Sequence, residues 1–242
     1  AKYYRELSLV AGRFPGRESY PGDMFHIHSR LLERAGSFRI NDKDVTISCL
    51  PIAESVGGDV TGYVQTNLMS ITDGHIFLDS ALFFQGTRPA VNTFLSVTRV
   101  GRQTQTPLMR DVTTIIGLLM KRYEEAQRFM RFGPELTDSV REVLQFGEQI
   151  RTLFNQSTQE RVPINAQMVL VALLFNKAWD GEGAVLLGNA YEKDAKLAGT
   201  IDAVVASAKS LKELQESIRP HAAEILAIIT KDRYEKHKSI TD

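Results

Sequence analysis

Cysteine is nearly missing from this chain: Cys49 is the only one among 242 residues. No internal disulfide can form, and a reducing compartment suits such a composition. Charge of either sign is also lacking in excess. The 29 lysines and arginines are matched by 29 aspartates and glutamates. That balance argues against broad electrostatic attraction to nucleic acid or to an anionic membrane surface. Long apolar runs are absent too. The longest is Met168 to Phe175, far short of a membrane span. No secretory signal pattern opens the chain. The G-x-x-x-x-G-K-[ST] phosphate loop, the dinucleotide glycine fingerprint, H-E-x-x-H and the G-x-S-x-G elbow are not found. No Cys or His cluster has zinc spacing, and His26 and His28 alternate along a helix start so that their rings face different ways. The chain therefore carries no complete catalytic set of its own.

What is present is an ordinary globular balance, 43% hydrophobic and 24% charged. Residues 2–12 read as a helix stopped by Gly12. Two Pro-Gly pairs in Arg13 to Asp23 mark a tightly turned loop, and Asp23 suits the cap of a helix from Met24 to Ala35. Residues 37–44 read as a polar turn, and Val45 to Ile52 as an alternating strand. A second strand is expected over Asn67 to Thr72, then a turn at Asp73-Gly74 and a third strand from His75 to Leu78. Residues 1–106 thus look like one half of an α/β sheet.

After Pro107 the texture changes. Val112, Ile115, Ile116, Leu119, Tyr123, Ala126 and Phe129 recur at helical spacing, up to a break at Gly133-Pro134. Leu136 to Leu153 marks a second helix, and Pro163 opens a third that runs to Trp179 and closes at Gly181. Further helices are expected over about 184–208, 209–217 and 220–232, with a charged tail over 231–242. No strand is expected beyond about 106, so the boundary between an α/β part (1–106) and a helical bundle (107–242) falls near 103–110.

The stretch around which the first part is organised is Arg88 to Gly101. Val97 and Val100 flank Thr98 and Arg99, so one cation stands at a strand's mouth among apolar residues. A planar, permanently charged fork suits phosphate recognition. Pairing with a carboxylate at the strand end is the plainer possibility.

These blocks carry a resemblance. Pro-Gly-Arg-Glu-Ser-Tyr-Pro-Gly-Asp (15–23) and Phe-His-Ile-His-Ser-Arg-Leu-Leu-Glu-Arg-Ala (25–35) resemble a loop and helix of the alpha subunit of F-type ATP synthases. Asn67 to Leu78, Arg88-Pro-Ala-Val-Asn and Ser96-Val-Thr-Arg-Val-Gly resemble that family's next blocks, in family order as far as about Phe175. The Pro-Gly-Arg-Glu loop sets the chain apart from related export or RNA-translocating ring ATPases.

The resemblance implies the α/β half of a P-loop NTPase-type nucleotide-binding domain followed by an all-α helical bundle. The opening helix at Ala1 would follow the Walker B strand, so the phosphate loop and an N-terminal barrel are expected upstream. Arg99 matches the arginine lent to the catalytic site of the neighbouring beta subunit, and Ser70 a serine near the same phosphate. Thr98 stands where the family usually has serine. Arg88, Pro89 and Gln156 match residues against the base of a nucleotide that is not turned over. Thr158 stands where the family often has a second glutamine.

The cofactor implied is ATP or ADP with Mg. The partners implied are the beta subunit, the central-stalk gamma subunit and the peripheral-stalk delta subunit. No nucleic acid is implied, and a membrane only through the complex, at the cytoplasmic face of the bacterial inner membrane. The loop Phe132 to Asp138 would face the rotor; a plain helix-helix turn with acids near the next helix start fits the residues equally. A stand-alone interaction module without ATP chemistry is the alternative function.

Overall fold

The computed structural model describes residues 1–130 and 137–230. Residues 132–136 of the expected rotor-facing loop Phe132–Asp138, and the charged tail over 231–242, lie outside them. The chain divides into two units. One comprises Ala1–Leu82 with Ala90–Gly101, the other Phe83–Pro89 with the chain from Arg102 onward.

The first unit begins with α1 (Lys2–Val10), a 3-10 turn at Arg17–Ser19 and α2 (Met24–Leu32). Asp23 sits at the N-cap of α2 without capping it. Its carboxylate instead accepts the Tyr4 hydroxyl at 2.6 Å, with Arg13 Nη1 at 3.5 Å. The loop between is tied down elsewhere: Arg17 Nη2 donates to the Thr61 carbonyl at 3.1 Å, and Tyr63 N–H donates to Glu18 at 2.9 Å.

Residues 37–44 are not a turn alone. β1 (Gly36–Ile40) and β2 (Lys43–Ile47) form an antiparallel hairpin with Ile40 opposite Lys43. The two residues between them, Asn41 and Asp42, have φ of 49° and 59°, the double left-handed turn that matches strand twist. Asn67 to Thr72 is not a strand either; it lies in and directly after α3 (Tyr63–Ile71).

A second ladder pairs β3 (Gly74–His75) with β4 (Val97–Thr98), Gly74 opposite Thr98. The described strands of this unit thus form two separate two-stranded ladders. α4 (Ser80–Phe84) leads onward. Few apolar side chains are buried here: Tyr20, Met24 and Ala90, while Leu50 and Ile52 are almost fully exposed.

The second unit is helical, with no strand among its described residues. α5 (Pro107–Met130) opens with proline at its first position, where no N–H is needed. α6 (Asp138–Phe154) follows, then α7 (Ile164–Phe175). α7 ends four residues short of Trp179, because the chain turns left-handed at Lys177, φ 54°. The expected helix over 184–208 is two, α8 (Ala184–Lys193) and α9 (Ala195–Ser207), separated by Asp194. The Asp194 carboxylate accepts from the amides of Lys196 and Leu197, a cap worth about 1 kcal/mol. α10 (Leu211–Ile218) is capped by Ser210, and its first amide donates to Asp111 of α5 at 2.8 Å. Residues 222–230 are helical again.

The core centres on α7, whose residues Met168 to Leu174 are all buried. They join Leu108, Val112, Ile150 and Leu153 from α5 and α6 and Leu187, Ile201, Leu214 and Ile218 from the later helices. Each Val, Leu, Ile or Met side chain among them contributes about 1.5–3 kcal/mol of burial against the cost of ordering.

Candidate functional site

The sequence-predicted residues fall into two groups, one in each unit. In the first unit, the β3–β4 ladder sets Arg99 one residue past the strand. Its backbone N–H donates to the Asp73 carbonyl at 2.7 Å. The ladder needs a glycine at Gly74, where an added Cβ would lie 2.5 Å from the Val97 carbonyl oxygen. From there the guanidinium reaches the end of α3. Nη1 donates to the Ser70 carbonyl at 2.8 Å and Nη2 to the Met69 carbonyl at 2.9 Å.

These carbonyls belong to the last turn of α3, where acceptors lack intrahelical partners and a cation is favoured by the helix dipole. No carboxylate among the described residues forms an ion pair with Arg99, so the plainer possibility gives way to carbonyl capping. A guanidinium has five N–H donors. Two are engaged here, on an exposed side chain. The fork is held at two points on a side chain that solvent still reaches.

Ser70 is brought to Arg99 through its carbonyl only. Its hydroxyl donates to the Asn67 carbonyl within the same helix at 2.8 Å. Thr98 Oγ1 accepts the Gly101 amide at 3.3 Å and so shapes the turn after Arg99.

In the second unit, Arg88 and Gln156 meet directly. The Gln156 amide donates to the Arg88 carbonyl at 2.8 Å, and the Arg88 amide donates to Asn155 Oδ1 at 2.7 Å. The Arg88-Pro89 peptide is cis. The Arg88 guanidinium lies over the Phe83 ring, 3.5 Å from its centroid, and Nη1 donates to the carbonyls of Phe83 at 2.6 Å and Thr87 at 2.9 Å. Such stacking of a guanidinium on an aromatic face fixes its plane. Pro89 is exposed beside it.

A cleft of about 120 Å³ adjoins this loop, lined by Gln85, Gly86, Thr87, Glu148, Arg151, Thr152 and Asn155. Sequence reasoning missed Asn155, Thr87 and Arg151. Arg151 Nη2 donates to Thr87 Oγ1 at 3.1 Å, and Nη1 to the Tyr123 hydroxyl at 3.3 Å, with Glu148 at 3.5 Å. The Tyr123 hydroxyl donates to Glu148 at 2.6 Å. Burial and that carboxylate push the Tyr123 phenol above its ordinary range. The hydrogen bond to Tyr123 raises Arg151 further. One signal for this cluster was visible: Gly147 interrupts an apolar helix pattern, and an added Cβ there would lie 2.2 Å from the Tyr123 ring. Among the described residues no group of three or more His, Cys, Asp or Glu is disposed to hold a metal.

Residues 1–98 match the nucleotide-binding domain of the ATP synthase alpha/beta family, and residues 105–182 match the C-terminal domain of ATP synthase alpha/beta chains. Ser70, Arg88 and Pro89 fall in the first match, Gln156 in the second, and Arg99 directly follows the first. The chain is 44% identical over 168 residues to ATP synthase subunit alpha of Neorickettsia sennetsu, covering 69% of this chain and 33% of that protein. It is 42% identical over 168 residues to the mitochondrial ATP synthase subunit alpha of Neurospora crassa, covering 69% of this chain and 30% of that protein. The chain thus spans about a third of the length of these curated relatives. With two successive domains of one family matched in order, and with alpha subunits as relatives, the chain belongs to the ATP synthase alpha/beta family.

Proposed function

We propose that this chain acts as the C-terminal half of an alpha-type, non-catalytic subunit of an F-type ATP synthase, completing a nucleotide site on a neighbouring beta subunit. The observation that carries this reading is Arg99: an exposed guanidinium anchored at two carbonyls, on a chain whose relatives are ATP synthase alpha subunits. In ATP hydrolysis, water attacks the γ-phosphorus, the bond to the β–γ bridging oxygen breaks, and negative charge spreads over the γ-phosphoryl oxygens. A pre-positioned arginine offsets that charge and accounts for roughly 10³ to 10⁵ in rate in enzymes of this kind. Synthesis runs the same step backwards, driven through proton transport by the whole complex. Ser70 contributes through the carbonyl that aims Arg99.

The second group serves a nucleotide that stays bound. Arg88, flattened on Phe83 and tied to Gln156, with Pro89 exposed beside it, offers a planar cation and an apolar edge to a purine. These residues fit the base end of ATP or ADP. The sequence has no phosphate loop, and among the described residues no group of three or more His, Cys, Asp or Glu is disposed to hold a metal, so on this reading the phosphates and the ion would be held mainly by residues outside the chain. Partners on this reading are the beta, gamma and delta subunits, with the membrane reached through the complex.

Arg99→Lys in the reconstituted complex keeps the charge and loses the fork. ATP hydrolysis is expected to fall by about 10² or more with assembly intact. Turnover near the unsubstituted rate in an assembled complex would overturn the assignment.

A further inference from the structure

We propose that Arg151 is a positioning residue for Arg88, acting through Thr87, and that the Tyr123–Glu148–Arg151 cluster sets the geometry of the purine-facing loop. The inference rests on the nucleotide reading of Arg88 given above. The segment Gln85–Pro89 that follows α4 turns at a left-handed glycine, Gly86, with φ 85°, whose amide donates to the Phe83 carbonyl at 3.0 Å and fixes only its near end. Three groups from the last turn of α6 and just beyond it hold its far end. Asn155 and Gln156 bind the backbone of Arg88, and Arg151 grips the Thr87 hydroxyl at 3.1 Å.

Thr87 matters because its carbonyl is one of two acceptors that orient Nη1 of Arg88; the other is the Phe83 carbonyl. Holding Thr87 therefore aims the guanidinium as well as the chain. Arg151 is itself immobilised. Its side chain is 28% exposed, and its other Nη meets both Tyr123 and Glu148. Tyr123 is in turn bound by Glu148 and by Gln127 Nε2 at 2.6 Å. The chain of contacts runs from α5 through α6 to the loop within one unit, with no ligand needed to complete it.

The test is a double-mutant cycle in the assembled complex, with labelled ADP in equilibrium dialysis. Arg88→Ala is expected to weaken one class of ADP site by about tenfold, and Thr87→Val, which keeps shape but loses the gripped hydroxyl, to weaken the same class by about threefold. In the Arg88→Ala background, Thr87→Val is expected to add nothing, because the group it positions is gone. Arg151→Ala should repeat this non-additivity, and Arg151→Lys should restore only part of the affinity. If Arg88→Ala and Thr87→Val each weaken binding and their effects simply multiply, the positioning role is overturned while the nucleotide reading stands. If Arg88→Ala leaves every ADP site unchanged, both fall together. Thr87→Val carries the test if Arg151→Ala prevents assembly.

Discussion

The Arg99 guanidinium closes the end of α3 by donating from Nη1 to the Ser70 carbonyl oxygen at 2.8 Å, while the Ser70 hydroxyl turns back to Asn67. The two residues are joined through a backbone atom, which no substitution of the Ser70 side chain removes. Ser70→Ala should therefore leave the Arg99 contact in place. Arg99→Ala should release two carbonyls of the last turn and loosen α3 by about 1 kcal/mol, given the exposure of the pair. Hydrogen exchange at the amides of residues 67–71 separates the outcomes. Equal protection in the two variants would contradict the capping role.

How much of this was legible beforehand depended on where each element's partners lie. α5 and α6 show their apolar stripes locally, and proline or glycine marks their ends, so periodicity found them. α3 hides its helical character. Its Leu68, Met69 and Ile71 stand among Asn67, Ser70 and Thr72 in too short a run to show a helical stripe. The helix is closed instead by contacts that pattern does not encode: Thr66 and Thr72 hydroxyls donating back to the Gly62 and Leu68 carbonyls, and Arg99, about thirty residues away in sequence, on the final turn. The Asp23 cap failed for a similar reason, since the Tyr4 hydroxyl claims the carboxylate. The residues Arg88 and Gln156 were found by family likeness; Asn155, Thr87 and Arg151 join them only through folding.

Gly147 allows α6 to approach the Tyr123 ring. Gly147→Ala would drive a methyl group into Cδ2, Cγ and Cβ of Tyr123, atoms near the root of that side chain rather than its flexible end, so something must shift. The expected cost is about 1–3 kcal/mol, despite alanine's better helix propensity. Urea unfolding measures it. A stabilised variant would show that the two helices are not packed this closely.

The Tyr123 phenol is shifted upward, first by burial and then by its hydrogen bond to Glu148. Its folded value lies above the ordinary 10.0, so the unfolded chain loses this proton first as pH rises. The associated stability is whole below pH 10 and is lost as pH rises through the folded value. Tyr4 and Tyr191 are raised too, chiefly by their hydrogen bonds to Asp23 and Asp202, so an ultraviolet titration should show several phenols ionising late, and Tyr123→Phe should remove one such step. A titration unchanged by the substitution would assign every late step elsewhere.

His28 is shifted the other way. Burial lowers its imidazole from the ordinary 6.5, and Nδ1 is enclosed without a hydrogen-bond partner. The folded state resists protonation, so stability is greatest above pH 6.5 and declines as pH falls through the folded value. His28→Gln should flatten the dependence of unfolding midpoint on pH between about 7 and 5. A slope identical to that of the unsubstituted chain would rule out His28 as its source.

α7 is apolar on every side, and the helices α8, α9 and α10 that cover much of it come later in the chain. During synthesis, Phe175 emerges well before Ile218, the last residue of α10. At cellular elongation rates that interval is roughly 2–9 s. For that time the ribosome presents a bare greasy rod with half its sheath still unmade. The chain's exposure to aggregation during synthesis thus depends on the order in which its helices are born as well as on its finished stability.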